Sequence, residues 1–565
     1  MTSIRAICLT IVSLCCASTS AAAAVQAAAP TDAVVLTGHD LTTNEVARVA
    51  RQLAAVRVDP AAASRVERSY RVLLLAAKQG LPIYGLNRGV GIDRDKAVFR
   101  AGELDPDVRL ASEQFNRNLL YAHSAGIGPD TPEPHVRAAM LARLNTMLFG
   151  ATGVQPAVVD AYVEFLNRRI HPVVPSRGSI GEGDIDLLAH IGLAMMGEGD
   201  VIYLGRRMAA RDALRQAGLA PLAPVAKDGL SILSSNAYTA GVAALMAVDA
   251  RRLLDRGEAV TALGLEALNG NVSPLLEPVQ SVRPYPAQAA AARRIREALA
   301  GSYLWQPDSA RPLQDPLSFR TASQAYGNAR AALDAFTSDL QIQLNSSDDN
   351  PAVLLDARPP AGASPVEQSY YVKEGDLSGA VMPSANFEPM AWVVDLEAFA
   401  VALRHISSGS VQRMSRLGTT TMTGLNTFLS PDEKAMAFAE AQYPYVALDA
   451  ENRALSQPVS ADASTAAGGI EDVASNAPLV VDRVSRMVDN LYYIVGMELM
   501  HAAQAVDLRR RATPTLALGH DTSRLYEAYR GVVPFLDRDR PLTDDISKSH
   551  DYLLGSDAVK QPRSP

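Results

Sequence analysis

The sequence predicts an all-α fold built on a long antiparallel central helix bundle, and three observations carry that reading. Apolar residues recur at helical spacing in three long segments, alternating strand patterns are few and short, and proline-rich breaks separate the periodic stretches. Trp392, Leu396, Phe399, Leu403 and Ile406 follow one another at spacings of four, three, four and three, which draws a single apolar stripe along a helix. Val481, Val484, Val488, Leu491 and Val495 draw a second. Between Thr239 and Leu268 an alanine-rich run has Val242, Leu245, Met246 and Leu253 as bulky positions and Asp249, Arg251, Arg252 and Asp255 as polar ones, a third long helix. Pro284 and Pro286 mark one break, and Arg358-Pro359-Pro360-Ala361-Gly362 reads as a surface loop, because proline fixes φ and stops a helix.

The 565 residues are 48% hydrophobic and 20% charged, which allows a large core and excludes a disordered polymer. A formal charge of −8 lacks the basic excess that nucleic-acid binding requires, and no lysine–arginine block marks an anionic membrane surface. The N-terminus differs in kind: Arg5 precedes an apolar run from Ala6 to Ala17 and then Ala21 to Ala24, the pattern of a secretory signal peptide over residues 1–24. The expected location is therefore periplasmic or secreted, with no membrane attachment after cleavage; Leu14 and Cys15 are poor neighbours for a lipid anchor on Cys15 or Cys16. All three cysteines fall in that segment, so the mature chain is expected to have no disulfide, thiol catalysis or thiolate metal site. The rest divides into a loop-rich N-terminal region expected to hold the active site (30–225), the central bundle (226–510) and a C-terminal helical region and tail (511–565). The nine histidines include no i, i+4 pair, so no metal site is expected, and no nucleophile elbow supports a hydrolase.

Two glycine-dense stretches, Tyr84-Gly85-Leu86-Asn87-Arg88-Gly89-Val90-Gly91 and Gly178-Ser179-Ile180-Gly181-Glu182-Gly183-Asp184, suit loops folded over a pocket. Neither follows a clear strand, so a dinucleotide fingerprint is not supported. With them come His123-Ser124-Ala125-Gly126, Leu187-Leu188-Ala189-His190, Asp228-Gly229-Leu230, Gln314-Asp315-Pro316, Asp349-Asn350-Pro351, Asn386-Phe387 and Glu451-Asn452. In this order, from Tyr84 through Asp472, the set resembles the histidine and phenylalanine ammonia-lyase family. The resemblance implies the fumarase/aspartase-like ammonia-lyase fold, a homotetramer with sites at subunit junctions, and loss of an α-amine and a β-proton from an aromatic or imidazole amino acid. Tyr84 matches the family's catalytic base, Arg320 its carboxylate-binding arginine, and Glu451 a glutamate near the amine or ring. Gln314, Asn386 and Phe387 match substrate-positioning residues, and His123 the position that contacts imidazole in histidine-selective members, which leans the substrate toward imidazole. The β C–H is so weakly acidic that a phenol of ordinary pKa about 10 must be lowered to take its proton, while a planar guanidinium suits a bidentate carboxylate. Taken singly, a Tyr-Gly pair is a turn, His123 a core histidine, and Arg320 with Glu451 a structural ion pair; their order singles them out.

One motif departs from the pattern. The family builds an electrophilic methylidene-imidazolone from an internal Ala-Ser-Gly, whereas here Gly181 is followed by Glu182-Gly183-Asp184, one residue shorter and with neither alanine nor serine. No prosthetic group is expected to form; Ser179 would need the nitrogen of β-branched Ile180 as its attacking group. The supporting Asn-Gly corresponds to Ser234-Ser235, with Asn236 next in reach, and the tyrosine after Gln-Asp-Pro is Leu317. The electrophile and its helpers change together while the base and carboxylate side are kept. Two accounts follow. In one, the substrate is a betaine whose trimethylammonium leaves unaided, similar to ergothionase, a lyase of this family, with Glu182 and Glu451 facing the cation. In the other, the pocket binds its ligand without turnover; conventional ammonia-lyase activity stays open beside both. For Glu182 the competing reading is a carboxylate capping the helix that starts near Asp184 or Asp186. Expected partners are a small amino acid or betaine and further copies of the chain.

Overall fold

Four long helices set the axis of the molecule: α1 (Ala237–Leu268), α2 (Ala322–Leu344), α3 (Met390–Leu417) and α4 (Ala477–Ala512). The computed structural model describes residues 33–98, 106–461 and 465–555; the expected signal peptide and its three cysteines lie outside these. Each apolar stripe is the buried face of its helix. Trp392, Leu396, Phe399, Leu403 and Ile406 on α3, and Val481, Val484, Val488, Leu491 and Val495 on α4, are all at most 3% exposed. The Asp228–Leu268 stretch is long and apolar enough to cross a membrane by composition, but almost all of it is buried inside the bundle.

The helix directions are mixed. Tyr492 Oη on α4 donates to Asp249 O on α1 (2.8 Å), and Arg509 Nε, near the end of α4, donates to Ala267 O at the end of α1 (2.8 Å), so α1 and α4 run the same way. Arg413, late in α3, pairs with Glu498, late in α4 (Nε–Oε1 2.5 Å), which makes α3 parallel to both. Helix α2 supplies the antiparallel member: its early Tyr326 faces Gly257 on α1, its later Asp334 pairs with Arg251, and its Phe336 meets Trp392 at the start of α3. Among the four long helices the expected antiparallel packing therefore holds only for α2, because side-chain periodicity is the same read in either direction.

The N-terminal region packs shorter helices, among them Pro106–His123, Glu133–Leu148, Ile185–Met195 and Asp228–Leu233, around the starting ends of α1, α3 and α4. Four small sheets of two or three strands trim this region and the loop before α3. Pro286 occupies the first turn of the helix Pro286–Ala298, where a missing N–H costs nothing, and Arg358–Gly362 is a surface loop, as the proline pattern required.

At the C-terminal end the helix Thr543–Leu554 is held against α4 by His550. Its Nε2 lies 3.0 Å from Asp489 Oδ1, its Nδ1 2.9 Å from Asp551 Oδ1, and its ring stacks on Tyr493 at 4.1 Å between centroids. Burial opposes the charged ring, and hydrogen bonds and charge from the two aspartates outweigh it, so the pKa is raised. Stability from such a group is fully present below its unfolded pKa and is lost as pH rises through the folded value. His550→Gln is therefore expected to cost about 1 kcal/mol at pH 6 and much less at pH 9. The check is the gap between wild-type and variant unfolding midpoints at both pH values; equal gaps would show that the ring is not held as a cation.

Candidate functional site

The loop Gly181-Glu182-Gly183 is clamped from two sides where α1, α3 and α4 begin. Gly181 has φ +90°, and a Cβ there would run into Ser475 and lie 2.7 Å from Ala477 N, so only glycine fits. Ser475 Oγ donates to Gly181 O (3.0 Å) and Asn476 N to Ile180 O (2.8 Å), tying the loop to the start of α4. Opposite, Gly183 N donates to Asn236 Oδ1 (3.0 Å), and Asn236 Nδ2 donates to Phe387 O. Asn236 thus joins the loop, the start of α1 and the segment before α3. Asp184 is fully buried and accepts from Thr239 N and Oγ1 (2.8 Å each) and Ser179 Oγ (2.9 Å); burial still pushes its carboxyl to about 6.

Glu182 is only 8% exposed, and Ser475 favours the ionised form of its carboxyl. The helix Ile185–Met195 starts from Asp184 as its N-cap residue, which makes no side-chain cap bond of its own. Burial first, then the charge of Glu388, push the Glu182 carboxyl up to about 7; the Ser475 donors oppose this and Glu471 adds to it. A methylidene-imidazolone needs alanine, serine and glycine in sequence at this loop. The residues here do not fit it: the hydroxyl nearest in sequence, Ser179 Oγ, is spent on Asp184 and accepts from Gly181 N (3.1 Å).

Tyr84 reaches the same place from its glycine-dense loop. Gly85 has φ +70° and a Cβ would collide with Leu230, so this loop lies tight against the helix Asp228–Leu233. Tyr84 Oη accepts from Gly91 N (2.8 Å). Burial raises the phenol pKa, the Gly91 N–H and Arg94 pull it down, Glu471 pushes it up, and the balance is raised. Within one chain, then, the positive charge of Arg94 is too little to lower the phenol as a base requires. His123 ends the helix Pro106–His123 with Nδ1 2.8 Å from Leu119 O; that oxygen only accepts, so Nδ1 carries a proton. Burial raises the carboxyls of Asp186 and Glu471, and His123 pulls both down.

The structure therefore brings together Tyr84, His123, Glu182, Asn236 and Phe387, with buried Ser234 two residues from Asn236. It adds Asp186, Glu388 and Glu471, which the sequence reading did not single out. Glu388 directly follows Asn386-Phe387, and exposed Asn386 lines with it a groove of about 500 Å³ that also contains Trp392. The carboxyl-side residues are elsewhere. Asn271 N, just past the end of α1, donates to Asp315 Oδ2 (2.7 Å), and Arg413 Nη1 donates to Ser318 O (3.0 Å). There Arg320 Nη1 donates to Gln314 Oε1 (2.7 Å), Arg320 Nε is buried without a partner, and Leu317 is 63% exposed. Phe319, next to Arg320, lies against Gly264 near the end of α1, so at 1.5 Å per residue the helix separates Asn236 from this cluster by about 40 Å. Glu451 is with neither: its Oε1 pairs with Arg486 Nη2 (2.6 Å) on a partly exposed face. It takes the structural ion-pair reading, with Arg486 in place of Arg320, while Glu471 stands beside Tyr84. Among the described residues no group of three or more His, Asp or Glu is placed to hold a metal ion.

Residues 41–531 match the family model for aromatic amino acid lyases. The chain belongs to that family. It is 32% identical to a histidine ammonia-lyase of Geobacillus sp. (strain WCH70) over 528 residues, 93% of this chain and 97% of that one. It is 33% identical to the histidine ammonia-lyase of Stigmatella aurantiaca, over 90% and 94% of the two chains. Among solved structures it is similar to ergothionase from Treponema denticola, crystallised with desmethyl-ergothioneine sulfonic acid: TM-score 0.82, 39% identity, 94% of this chain and 100% of that one. A tyrosine aminomutase from Streptomyces globisporus matches with TM-score 0.81 at 29% identity, over 92% and 97%. The mainly helical lyase fold and membership among carbon–nitrogen lyases follow.

Asn236 is the amide on which this lyase-family loop hangs. Asn236→Ala strands Gly183 N–H in a buried position and is expected to cost about 1–3 kcal/mol, measured by denaturant unfolding at neutral pH. A change within error would show that the clamp is dispensable.

Proposed function

We propose that this chain is an exported carbon–nitrogen lyase that expels a substituted amine from an imidazole-bearing amino acid betaine, without a methylidene-imidazolone, and with Tyr84 as base. The observation that carries the reading is a buried carboxylate, Glu182, at the place where the family keeps its electrophile. A carboxylate cannot accept the amine's electrons, but it stabilises an amine that is already a cation and already a good leaving group. Similarity to an ergothionase at 39% identity supports the same substrate class.

The proposed step balances without a co-reactant. The Tyr84 phenolate takes the β-proton, the C–H electron pair becomes the Cα–Cβ double bond, and the Cα–N bond breaks with its pair leaving on trimethylamine; the proton on Tyr84 returns to solvent. His123, with Nδ1 donating to Leu119 O, offers its other ring nitrogen to a substrate imidazole, and Phe387 supplies an apolar wall. Arg320, with Gln314, would hold the substrate carboxylate, but no single chain can do so across about 40 Å. We infer that copies assemble so that the Arg320 segment of one meets the Tyr84 loop of another. That contact would also deliver the positive charge that lowers the phenol pKa. The raised phenol of the isolated chain favours the non-catalytic binding alternative, and activity decides between the two.

Incubation with hercynine is expected to release trimethylamine and an unsaturated acid followed by near-ultraviolet absorbance, while free histidine gives no ammonia. Tyr84→Phe is expected to reduce turnover by about 10²–10⁴-fold. Mass spectrometry of the peptide spanning Gly178 to Asp186 is expected to give the unmodified mass; loss of two waters would overturn the reading. Ammonia from histidine would do so as well.

If sites are shared between copies, Tyr84→Phe and Arg320→Gln, each inactive alone, restore activity when co-expressed. Random pairing leaves about a quarter of sites with both native residues, so a mixture with no recovered activity would refute the shared site.

A further inference from the structure

A cavity of about 630 Å³ opens on the flank of α1, in the gap that α1 leaves with the helices His520–Arg530 and Thr543–Leu554. It is remote from both halves of the site described above. Ala259, which lines it from α1, lies 23 residues past Asn236, about 35 Å along the helix at 1.5 Å each. It also faces another way: at about 100° per residue, Ala259 is turned by roughly 160° from Gly257, which meets Tyr326, and by roughly 140° from Gly264, which meets Phe319.

The lining restricts what fits. Ala259, Leu525, Val532, Tyr552 and Leu553 make the walls largely apolar, and Val532 is 41% exposed. The charged groups are Arg256, Lys548 and Asp551, and the positive ones are the less compensated. Arg256 Nη1 donates to Tyr552 O (2.5 Å) and the neighbouring Arg252 Nη1 to Leu554 O (2.6 Å); a carbonyl satisfies an N–H and leaves the guanidinium charge in place. The two stand at one corner, since a Cβ on Gly555 would lie 3.4 Å from Arg252 Nη1 and 3.6 Å from Arg256 Nη2. Lys548 is exposed, and among the described residues no carboxylate pairs with it. Asp551, by contrast, is engaged: its Oδ1 lies 2.9 Å from His550 Nδ1.

We propose that this cavity is a binding site for a small amphipathic carboxylate, its apolar body between Ala259, Leu525 and Leu553 and its anionic head toward Arg256 and Lys548. The volume is that of a small-molecule site, and apolar walls with a few charged groups are how such sites select and orient a ligand. A neutral apolar molecule would leave the two cations without a counter-charge, whereas a carboxylate supplies it. Because the walls come from three helices, an occupant ties the two C-terminal helices to α1 and stabilises the fold by mass action. Its occupancy is independent of the reaction proposed above.

The test is titration calorimetry on the full-length protein at pH 7 and low salt, with 4-phenylbutyrate as probe and the neutral 4-phenylbutyramide beside it. The acid is expected to bind, to raise the unfolding midpoint, and to bind about tenfold more tightly than the amide. Lys548→Glu, at an exposed position, is expected to weaken the acid about tenfold and leave the amide unchanged, and Ala259→Trp, which fills the cavity from α1, to abolish binding of both. No binding of the acid, or equal binding of acid and amide, would overturn the site. Acid binding that neither variant changes would place the probe elsewhere and overturn it too. Binding that appears only once residues 556–565 are removed would make the chain's own end the occupant, and the proposed ligand would fall.

Discussion

The arrangement of the site depends on one buried carboxylate, Asp348. Its Oδ2 accepts from Ser235 Oγ (2.8 Å), Asn236 N (2.9 Å) and Gln343 Nε2 (3.0 Å), and its Oδ1 from Arg143 Nη1 (3.3 Å). Arg143 also holds Asp349 (Nη2–Oδ2 2.5 Å), which in turn takes Lys227. An ion network this deep gains little net stability, because desolvation of each charge offsets most of the attraction. What it does is fix position. The backbone turn that starts α1 is locked onto Asp348, Asn236 is locked by that turn, and Asn236 then sets where both Gly183 and Phe387 lie. Removing one partner would leave uncompensated charge in a dry interior, so the network resists partial change and transmits rigidity to a loop whose own glycines have none.

The parallel run of α1, α3 and α4 has a direct consequence for the chemistry. Three helices that start together also end together, and each half of the proposed site is attached to one of those ends. Tyr84, Glu182 and Asn236 stand at the starting end; Gln314, Leu317 and Arg320 stand toward the finishing end of α1, where Phe319 lies against Gly264. A bundle of this length cannot fold back to join them, so the distance is a fixed property of the chain. The unpartnered Arg320 Nε and the exposed Leu317 are what a half-site looks like by itself.

The helices were legible in the sequence because burial on one face imposes a period that survives any packing partner, as at Trp392 to Ile406. Their directions were not, since the period has no sense. Site residues were legible where a short motif pins them: Tyr84 before Gly85, Glu182 between two glycines, Asn236 after two serines. Glu451 was misplaced because a Glu-Asn pair on a helix has no visible link to Arg486, thirty-five positions later and ten residues into another helix. Glu471 was passed over for the converse reason: it sits in an irregular loop with no period to mark its face, and only the contact of Gly468 with Ile92 shows that this loop closes on the Tyr84 loop.

The starting ends of α1, α3, α4 and the helix Ile185–Met195 all point at one small volume, each carrying roughly half a positive charge from its unpaired N–H groups. That field is worth about 0.3–1 kcal/mol per terminus to a nearby anion, which explains how Asp184, Asp186, Glu182, Glu388 and Glu471 gather there. It does not hold Glu182 at the ordinary carboxylate value, because burial and the charge of Glu388 push that carboxyl up to about 7. The residual negative charge matters for mechanism. An electrophile requires the substrate amine neutral, with its lone pair free to attack; a carboxylate in the same place favours the amine charged, with no lone pair at all. The two cannot serve one substrate form. Under the proposed reading, placing Glu182 at that position turns the site away from amines that must be captured and toward amines that stay cationic until the carbon–nitrogen bond breaks.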